Sequence, residues 1–428
     1  MRTSILTFLA LFLFATATAQ EKKWTLLECV TYAVDNNISI KQQELTNETI
    51  EQDIRTAEGN FYPSLNASSN LGYNFGSFIG QDGSRISRDS RSFSFSVNTG
   101  VVLFNANRNK FLLNQAKKDL EAAGFDLEES KNNIMLFVVN SYLNVLLNRE
   151  ALKIAEDQVV ISTNQVKKAQ GLVEAGEQPK THELEAQATL ATHLQQLTTA
   201  ENNLDISLLS LAQLLQVTHK GFDVADVDLS VDSASLIYND TDDIFNTAVA
   251  GLPEIKSAEV GVENADIGLK LAKSNYYPRL SFGGGLGSSY QHSQGQEDVR
   301  PIIDPATGNV VLVPNGFGKQ LEDNLGYNFG FSLSIPVFNG FQTKASVSRA
   351  QINQDRAALV LLDKKVKLRE NIERAYADAK AALKQFVSAE TSLQAQEAAF
   401  SNAQESYNSG VMTSFDFDQV RNRLVNAQ

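Results

Sequence analysis

Cysteine, proline and positive charge are all scarce in this 428-residue sequence, and each scarcity narrows what the chain can be. The single cysteine, Cys29, excludes an intrachain disulfide framework and any cysteine-rich zinc or iron–sulfur site. It follows Glu28 inside a helical pattern, not a small-residue cleavage site, so it reads as a small buried hydrophobe and not as a lipidated terminus. Only 8 prolines occur, about 2% against a usual level of roughly 5%, which leaves room for long unbroken helices. Lys and Arg number 37 against 50 Asp and Glu, a formal charge of −13, so no electrostatic footprint for nucleic acid exists. Long apolar runs are missing too: beyond the N-terminus no stretch reaches the roughly 18 residues of a spanning helix.

Catalytic constellations are equally absent. The histidines are His182, His193, His219 and His292. His182-Glu183-Leu184-Glu185-Ala186 starts like a zinc-protease motif, but Ala186 stands where the second ligand is needed. His182 and His193 share a helix face about 16 Å apart at 1.5 Å per residue, too far for one metal. Gly283-Gly284-Gly285-Leu286-Gly287 continues a strand pattern with no helix behind it, which favours close backbone approach or a lumen-facing strand over a phosphate loop. No nucleophile elbow or Walker sequence is present. The reading is a non-enzyme without cofactor or metal.

What the sequence does contain begins with residues 1–19. Arg2, an apolar stretch from Ile5 to Phe14, and Ala17-Thr18-Ala19 form a secretory signal peptide, with Gln20 opening the mature chain. If an exported chain without spanning helices crosses a membrane, it must do so with strands.

The remainder is written twice. A shift of 215 places Ala33, Ile40, Tyr62 and Pro63 on Ala248, Ile255, Tyr277 and Pro278. A shift of 234 places Phe104, Asn105, Tyr142 and Gly176 on Phe338, Asn339, Tyr376 and Gly410. The difference, 234 − 215 = 19 residues, predicts an insertion in the second copy between Gln291 and Leu321. The copies are assigned to 20–220 and 251–428, joined by a linker at 221–250. Its acidic run, including Asp223, Asp226, Asp228 and Asp232, reads as a solvated surface segment. Each copy runs from a helix into a stop at Pro63 or Pro278, then two alternating segments, then a helix of more than 60 residues (about 105–170 and 341–408) with a coiled-coil-like stripe. Turns at Gly176–Pro179 and at Gly410 lead into return helices. The first return helix reaches about Leu215. Its counterpart would extend to about position 449, so some 449 − 428 = 21 residues of the last helix are expected to be absent. That shortening is expected to weaken closure near the equator of the assembly.

Four alternating segments carry the strongest physical signal: about 64–76, 92–104, 279–290 and 325–338. Phe93, Phe95 and Val97, with Tyr327, Phe329, Phe331 and Leu333, form one face. Ser, Asn and Gly form the other. Period two over 11 to 13 residues suits a tilted transmembrane strand, and a small uncharged polar face suits a wet lumen. Four strands leave two open edges, which lipid does not tolerate, so several copies must close one barrel: eight strands from a dimer or twelve from a trimer. The competing readings are a periplasmic coiled-coil adaptor, which leaves the strands unexplained, and an exported enzyme, for which no constellation was found.

The doubled helix–hairpin–helix order resembles the TolC family of outer-membrane efflux proteins. So do the junctions Phe61-Tyr62-Pro63-Ser64-Leu65, Tyr276-Tyr277-Pro278-Arg279-Leu280 and Ile335-Pro336-Val337-Phe338-Asn339-Gly340. The likeness spans about 24–428. It implies an α+β membrane protein: a homotrimer with a twelve-stranded transmembrane β-barrel and a long α-helical coiled-coil tunnel through the periplasm of a Gram-negative bacterium. It also implies a passive exit duct of a tripartite efflux pump or type I secretion system. The partners would be outer-membrane lipid, a periplasmic adaptor (membrane fusion) protein and an inner-membrane transporter of RND, ABC or MFS type, with no nucleic acid. Residue by residue, Tyr407 and Gly410 match the family's turn, Asp416 its first constriction aspartate, and Gln419 stands at the second. Met412 and His182 replace the charged latch. A gate closed mainly by packing, with an Asp416 ring favouring cations, is the resulting expectation.

Overall fold

The computed structural model describes residues 23–79, 81–87, 89–227 and 240–428. The expected signal peptide, with Asp228 and Asp232 of the acidic run, lies outside the described residues. The chain opens with β1 (Lys23–Trp24), α1 (Leu26–Asn36) and α2 (Ile38–Gly59), then β2 (Ser64–Asn74), β3 (Ser77–Ile79), β4 (Arg85–Ser87) and β5 (Ser90–Phe104). Helices α3 (Arg108–Glu174) and α4 (Lys180–Leu215) follow, then β6 (Asp223–Val224). The order resumes with α5 (Thr241–Gly251), α6 (Pro253–Ser274), β7 (Arg279–Ser293), β8 (Val299–Ile303), β9 (Val310–Pro314) and α7 (Phe317–Asp323). It ends with β10 (Gly326–Ser334), α8 (Gln342–Asn408) and α9 (Ser414–Ala427). No helix among the described residues is long and apolar enough to cross a membrane. The residues group into two compact units, one holding the chain up to Leu45 with Gly124–Lys256 and Asp363–Gln428, the other Thr46–Ala123 with Ser257–Leu362.

The second unit is built on an antiparallel sheet of order β10-β7-β5-β2. Register aligns Leu71, Phe93 and Tyr290 across three strands, and Val97, Leu286 and Tyr327 across another three. One pleat face is therefore rich in aromatic and aliphatic side chains, with Ser69, Ser288 and Thr99 set among them and Arg91 and His292 at its far end. The alternate face carries Ser68, Ser96, Gly287 and Gly326 in one row and Asn66, Asn98, Gly285 and Asn328 in another. The polar face holds itself together with small groups: the Ser68 and Ser96 hydroxyls lie 2.9 Å apart, and the Asn98 amide donates to Ser96 at 3.1 Å.

β7 lies inside this sheet, and two of its glycines, Gly285 and Gly287, leave no room for a side chain. A Cβ on Gly287 would sit 2.9 Å from the Phe95 carbonyl oxygen, closer than real Cβ atoms come. One on Gly285 would meet the Asn98 amide oxygen at 2.5 Å and the Val97 carbonyl at 3.2 Å. The glycine run thus marks close strand approach.

Both copies enter and leave the sheet in the same way. Tyr62 N–H bonds to Gly59 O and Tyr277 N–H to Ser274 O, each at 3.1 Å, before Pro63 and Pro278 force the chain extended and the strands begin. At the exits, Ala106 and Asn107 adopt positive φ (52° and 62°), as do Gly340 and Phe341 (60° and 64°) 234 positions later. The strand expected over 325–338 is shorter. β10 stops at Ser334, because Pro336 offers no N–H to a ladder.

The expected insertion region carries β8, β9 and α7. Since β10 pairs with β7 only as far as Gly287, the rest of that β7 edge needs other partners. α7 supplies them: Gln320 Oε1 accepts from Gln291 N–H at 3.1 Å, and the Asn324 amide donates to Ser289 O at 2.7 Å.

The first unit has its own core. Cys29, Val138, Tyr142, Val145, Leu211 and Leu215 are fully buried around the parallel β1–β6 pair. Thr25 and Glu28 form a capping box that starts α1. The Tyr142 hydroxyl lies 2.6 Å from Ala225 O, and its burial raises its pKa above the usual tyrosine value. Arg149 forks onto Asp223 and Asp226 and bonds Val224 O at 3.1 Å. The acidic run is therefore not simply a solvated segment: Asp223, two-thirds covered, is tied to a cation that fixes β6.

Glycine packing gives a direct test. Gly287→Ala should destabilise the sheet by about 1–3 kcal/mol through overpacking. Gly330→Ala, where a Cβ meets open space, should stay within about 0.5 kcal/mol. Thermal unfolding of the detergent-purified protein reads both.

Candidate functional site

The candidate site is the pair of helical-hairpin turns in the first unit. The α3–α4 turn places Gly176 at φ +77°, with Glu177 N–H bonded to Leu172 O at 2.9 Å. The α8–α9 turn repeats it, with Gly410 at φ +76° and Val411 N–H bonded to Ser406 O at 2.9 Å. Only glycine takes this left-handed position without strain, and the long-reaching amide satisfies an otherwise orphaned carbonyl. Pro179 N-caps α4 with its ordinary φ of −71°. Thr413 caps α9: its Oγ1 accepts from Asp416 N–H at 3.2 Å and donates to the Asp416 carboxylate at 2.7 Å.

Asp416 and Gln419 lie exposed on α9, three residues apart. Tyr407 and His182 meet at a cavity of about 130 Å³ that Gln165 and Asp418 also line. Met412 is half-buried in the second turn. Charge enters from positions that the sequence reading passed over. Arg421, only 3% exposed, donates to Gln165 Oε1 at 2.6 Å and pairs with Asp418 at 3.2 Å. The Gln165 amide donates to Asp418 at 2.9 Å and closes the triangle. Lys168 donates to Tyr407 O at 2.9 Å while its ammonium sits 3.5 Å from the centre of that tyrosine's ring. The Tyr407 ring stacks on buried Phe417 at 4.6 Å. Packing alone therefore does not hold the second hairpin against α3: a buried guanidinium and a cation–π contact join it. A sequence signal existed, since Arg421 interrupts the apolar stripe Phe417–Leu424 at helical spacing, where an unpaired cation would be costly.

Burial sets the titration here. Lys168 is held below the ordinary lysine value by desolvation, and Tyr407 above the ordinary tyrosine value by desolvation and then Asp418. His193 is held below the ordinary histidine value, first by burial and then by the Arg421 charge, against the opposing pull of Asp418. The Ser162 hydroxyl donates to Gln158 O at 2.8 Å, so it accepts from His193 Nδ1.

The membrane-facing candidates divide by strand. Phe93, Phe95 and Val97 are half-buried on β5, whereas Tyr327 (86%), Phe329, Phe331 and Leu333 on β10 are exposed. They share one pleat face, and Pro63, Pro278 and Pro336 mark the helix–strand junctions. Among the described residues no group of three or more His, Cys, Asp or Glu comes together to hold a metal ion.

The depressed His193 value fixes a sign. Its contribution to stability is complete above the unfolded value of about 6.5 and is lost as pH falls through the lower folded value. The protection of α3 amides near Ser162 against hydrogen exchange, corrected for the intrinsic pH dependence of exchange, should therefore fall on acidification below about pH 6.5, and His193→Gln should flatten that dependence.

Residues 30–216 and 244–428 each match the outer membrane efflux protein family. Among curated proteins, the probable outer membrane lipoprotein SilC of Salmonella typhimurium is 22% identical over 76% of this chain. That match spans 64% of SilC, so the chain covers somewhat under two thirds of that relative. The outer membrane efflux protein BepC of Brucella suis is 20% identical over 94% of this chain and 80% of its own length. Among solved structures, that of CusC superposes with a TM-score of 0.76 at 16% identity, covering 94% of this chain and 86% of CusC. The outer membrane protein VceC from Vibrio cholerae gives 0.72 at 14% identity, covering 94% and 90%. The solved structures show the fold, and the doubled match to the family profile carries the assignment to the outer membrane. The chain belongs to the outer membrane efflux protein family.

Proposed function

We propose that three copies of this chain form a passive exit duct through the outer membrane, serving a tripartite efflux pump or a type I secretion system. One observation carries the reading: a four-stranded sheet with an exposed aromatic face and two unpaired edges, β2 and β10. Each large apolar side chain left in water forgoes about 1.5–3 kcal/mol of burial, and each unpaired backbone group in lipid costs several kcal/mol. Joining β10 of one copy to β2 of the next removes the edges. Twelve strands from three copies leave room for a water-filled bore within the polar face. The name of CusC's solved structures speaks of transmembrane channel formation, and MtrE of Neisseria gonorrhoeae is described as an outer membrane channel in an open state. Those likenesses support the reading.

The two family matches support a duplicated chain, with copies at 20–220 and 251–428 and a linker at 221–250. The hairpin turns at Gly176 and Gly410 are the inner end of the duct, where a periplasmic adaptor joins it to an energised inner-membrane transporter. The duct performs no chemistry. At the gate, exposed Asp416 and Gln419 line the constriction, while the Arg421–Gln165–Asp418 triangle and the Lys168–Tyr407 contact hold the second hairpin in place.

Outer-membrane fractionation should recover the protein as an SDS-resistant, heat-modifiable oligomer, and a well-behaved detergent-free monomer would overturn the duct. In single-channel recordings Asp416→Ala should lower cation preference; unchanged selectivity would remove Asp416 from the constriction. Arg421→Met removes the guanidinium from Asp418 and Gln165 and should weaken the closed state by about 1 kcal/mol, seen as a roughly fivefold rise in open probability.

A further inference from the structure

We propose that the β8–β9 hairpin is a lipid-interface anchor, with one face seated in the outer leaflet beside the barrel. The inference rests on the barrel reading above. Register pairs Val299 with Pro314, Pro301 with Leu312, and Ile303 with Val310. These six residues form one pleat face, and all are exposed. No charge or side-chain hydrogen-bonding group interrupts them. The alternate face is different: Arg300 pairs with Asp323 of α7 at 3.1 Å, Ile302 and Val313 are half-buried, and of its four residues only Val311 is exposed. The covered side of the hairpin thus looks toward α7 and leaves the apolar side uncovered.

The position of α7 shows which side of the sheet the insertion occupies. The Phe317 ring meets Phe93 at 5.5 Å and Tyr290 at 5.0 Å, and the Ser288 hydroxyl donates to Leu321 O at 2.6 Å. Phe93, Ser288 and Tyr290 lie on the aromatic pleat face with Phe95 and Leu286. The insertion therefore folds onto the lipid-facing side, and none of these contacts involves the serine, asparagine and glycine face.

A second, independent observation fixes its depth. Asp298, the residue before β8, accepts from the Tyr290 hydroxyl at 3.2 Å and lies 2.7 Å from His292 Nδ1. His292 stands in the register row of Tyr73 and Arg91, at the end of the sheet away from the helix junctions. Arg91 in turn donates to the Tyr290 hydroxyl at 3.0 Å. Mixed tyrosine and cationic groups belong at the boundary between acyl chains and water. A hairpin rooted in that row reaches the boundary layer, where binding scales with the apolar area inserted. Pro301 and Pro314 remove ladder donors from the hairpin, which disfavours recruitment of a further strand from another copy.

The test uses the full-length oligomer in a Cys29→Ser background, carrying single cysteines labelled with an environment-sensitive fluorophore. It is reconstituted into phosphatidylcholine vesicles with or without brominated acyl chains. Labels at Leu312→Cys and Ile303→Cys should be blue-shifted and lose emission in brominated vesicles, as should the sheet control Phe329→Cys. Labels at Val313→Cys and on the polar face at Ser332→Cys should keep theirs. Quenching at position 329 but not at 312 or 303 overturns the anchor and leaves the barrel standing. Absence of quenching at 329 overturns the barrel, and the anchor with it. Cross-linking of position 312 between subunits without quenching makes the hairpin a subunit contact and also overturns the proposal.

Discussion

The hydrogen-bonding obligation of the backbone governs this protein more than any side chain does. Within the sheet, β5 and β7 are paired on both sides, whereas β2 and β10 each present an unpaired edge. Water can satisfy such an edge, but water is not what the adjoining aromatic face suits. Both demands are met together when neighbouring copies supply the missing partners and lipid covers the rings. The proposed closure of one barrel by several copies answers that single requirement, and no helix among the described residues offers another way across the membrane.

Reuse of the same local devices in both halves makes the solution economical in sequence. The same proline stop, the same pair of left-handed residues and the same glycine turn occur in both halves. Divergence is concentrated in two places. At the rim, only the second copy carries β8, β9 and α7, which complete the β7 edge where β10 ends. At the hairpin tips, the second turn holds Tyr407, Phe417 and Arg421 against residues of α3, so the copies are no longer interchangeable there.

Much of this was legible in the residues themselves. The alternation Ser92 to Leu103 and Gly326 to Ser334 specifies which side chains share a face, because a one-residue slip would put every ring on the wrong side. Long helices free of proline, and turns marked by Gly176 and Gly410, follow equally directly from local chemistry. Contacts between segments far apart in the sequence did not. Nothing near Gln165 announces Arg421, 256 positions away, and Asp223 looks like one more surface carboxylate until Arg149 is placed beside it. The expected strand through Val337 overran for a related reason: its alternation persists past Ser334, but the pattern of side chains says nothing about the missing N–H of Pro336.

The glycine column of β7 has a further implication for what passes through the proposed bore. At Gly283, Gly285 and Gly287, and across from them at Gly326 and Gly330, nothing projects beyond the main chain. Along that stretch a permeating molecule would brush against peptide groups and a few short hydroxyls and amides. Such a surface is smooth, neutral and wide for its strand count, and it has few handles with which to grip or sort a solute. Choice of cargo must then be made upstream, leaving the outer segment as an indifferent conduit.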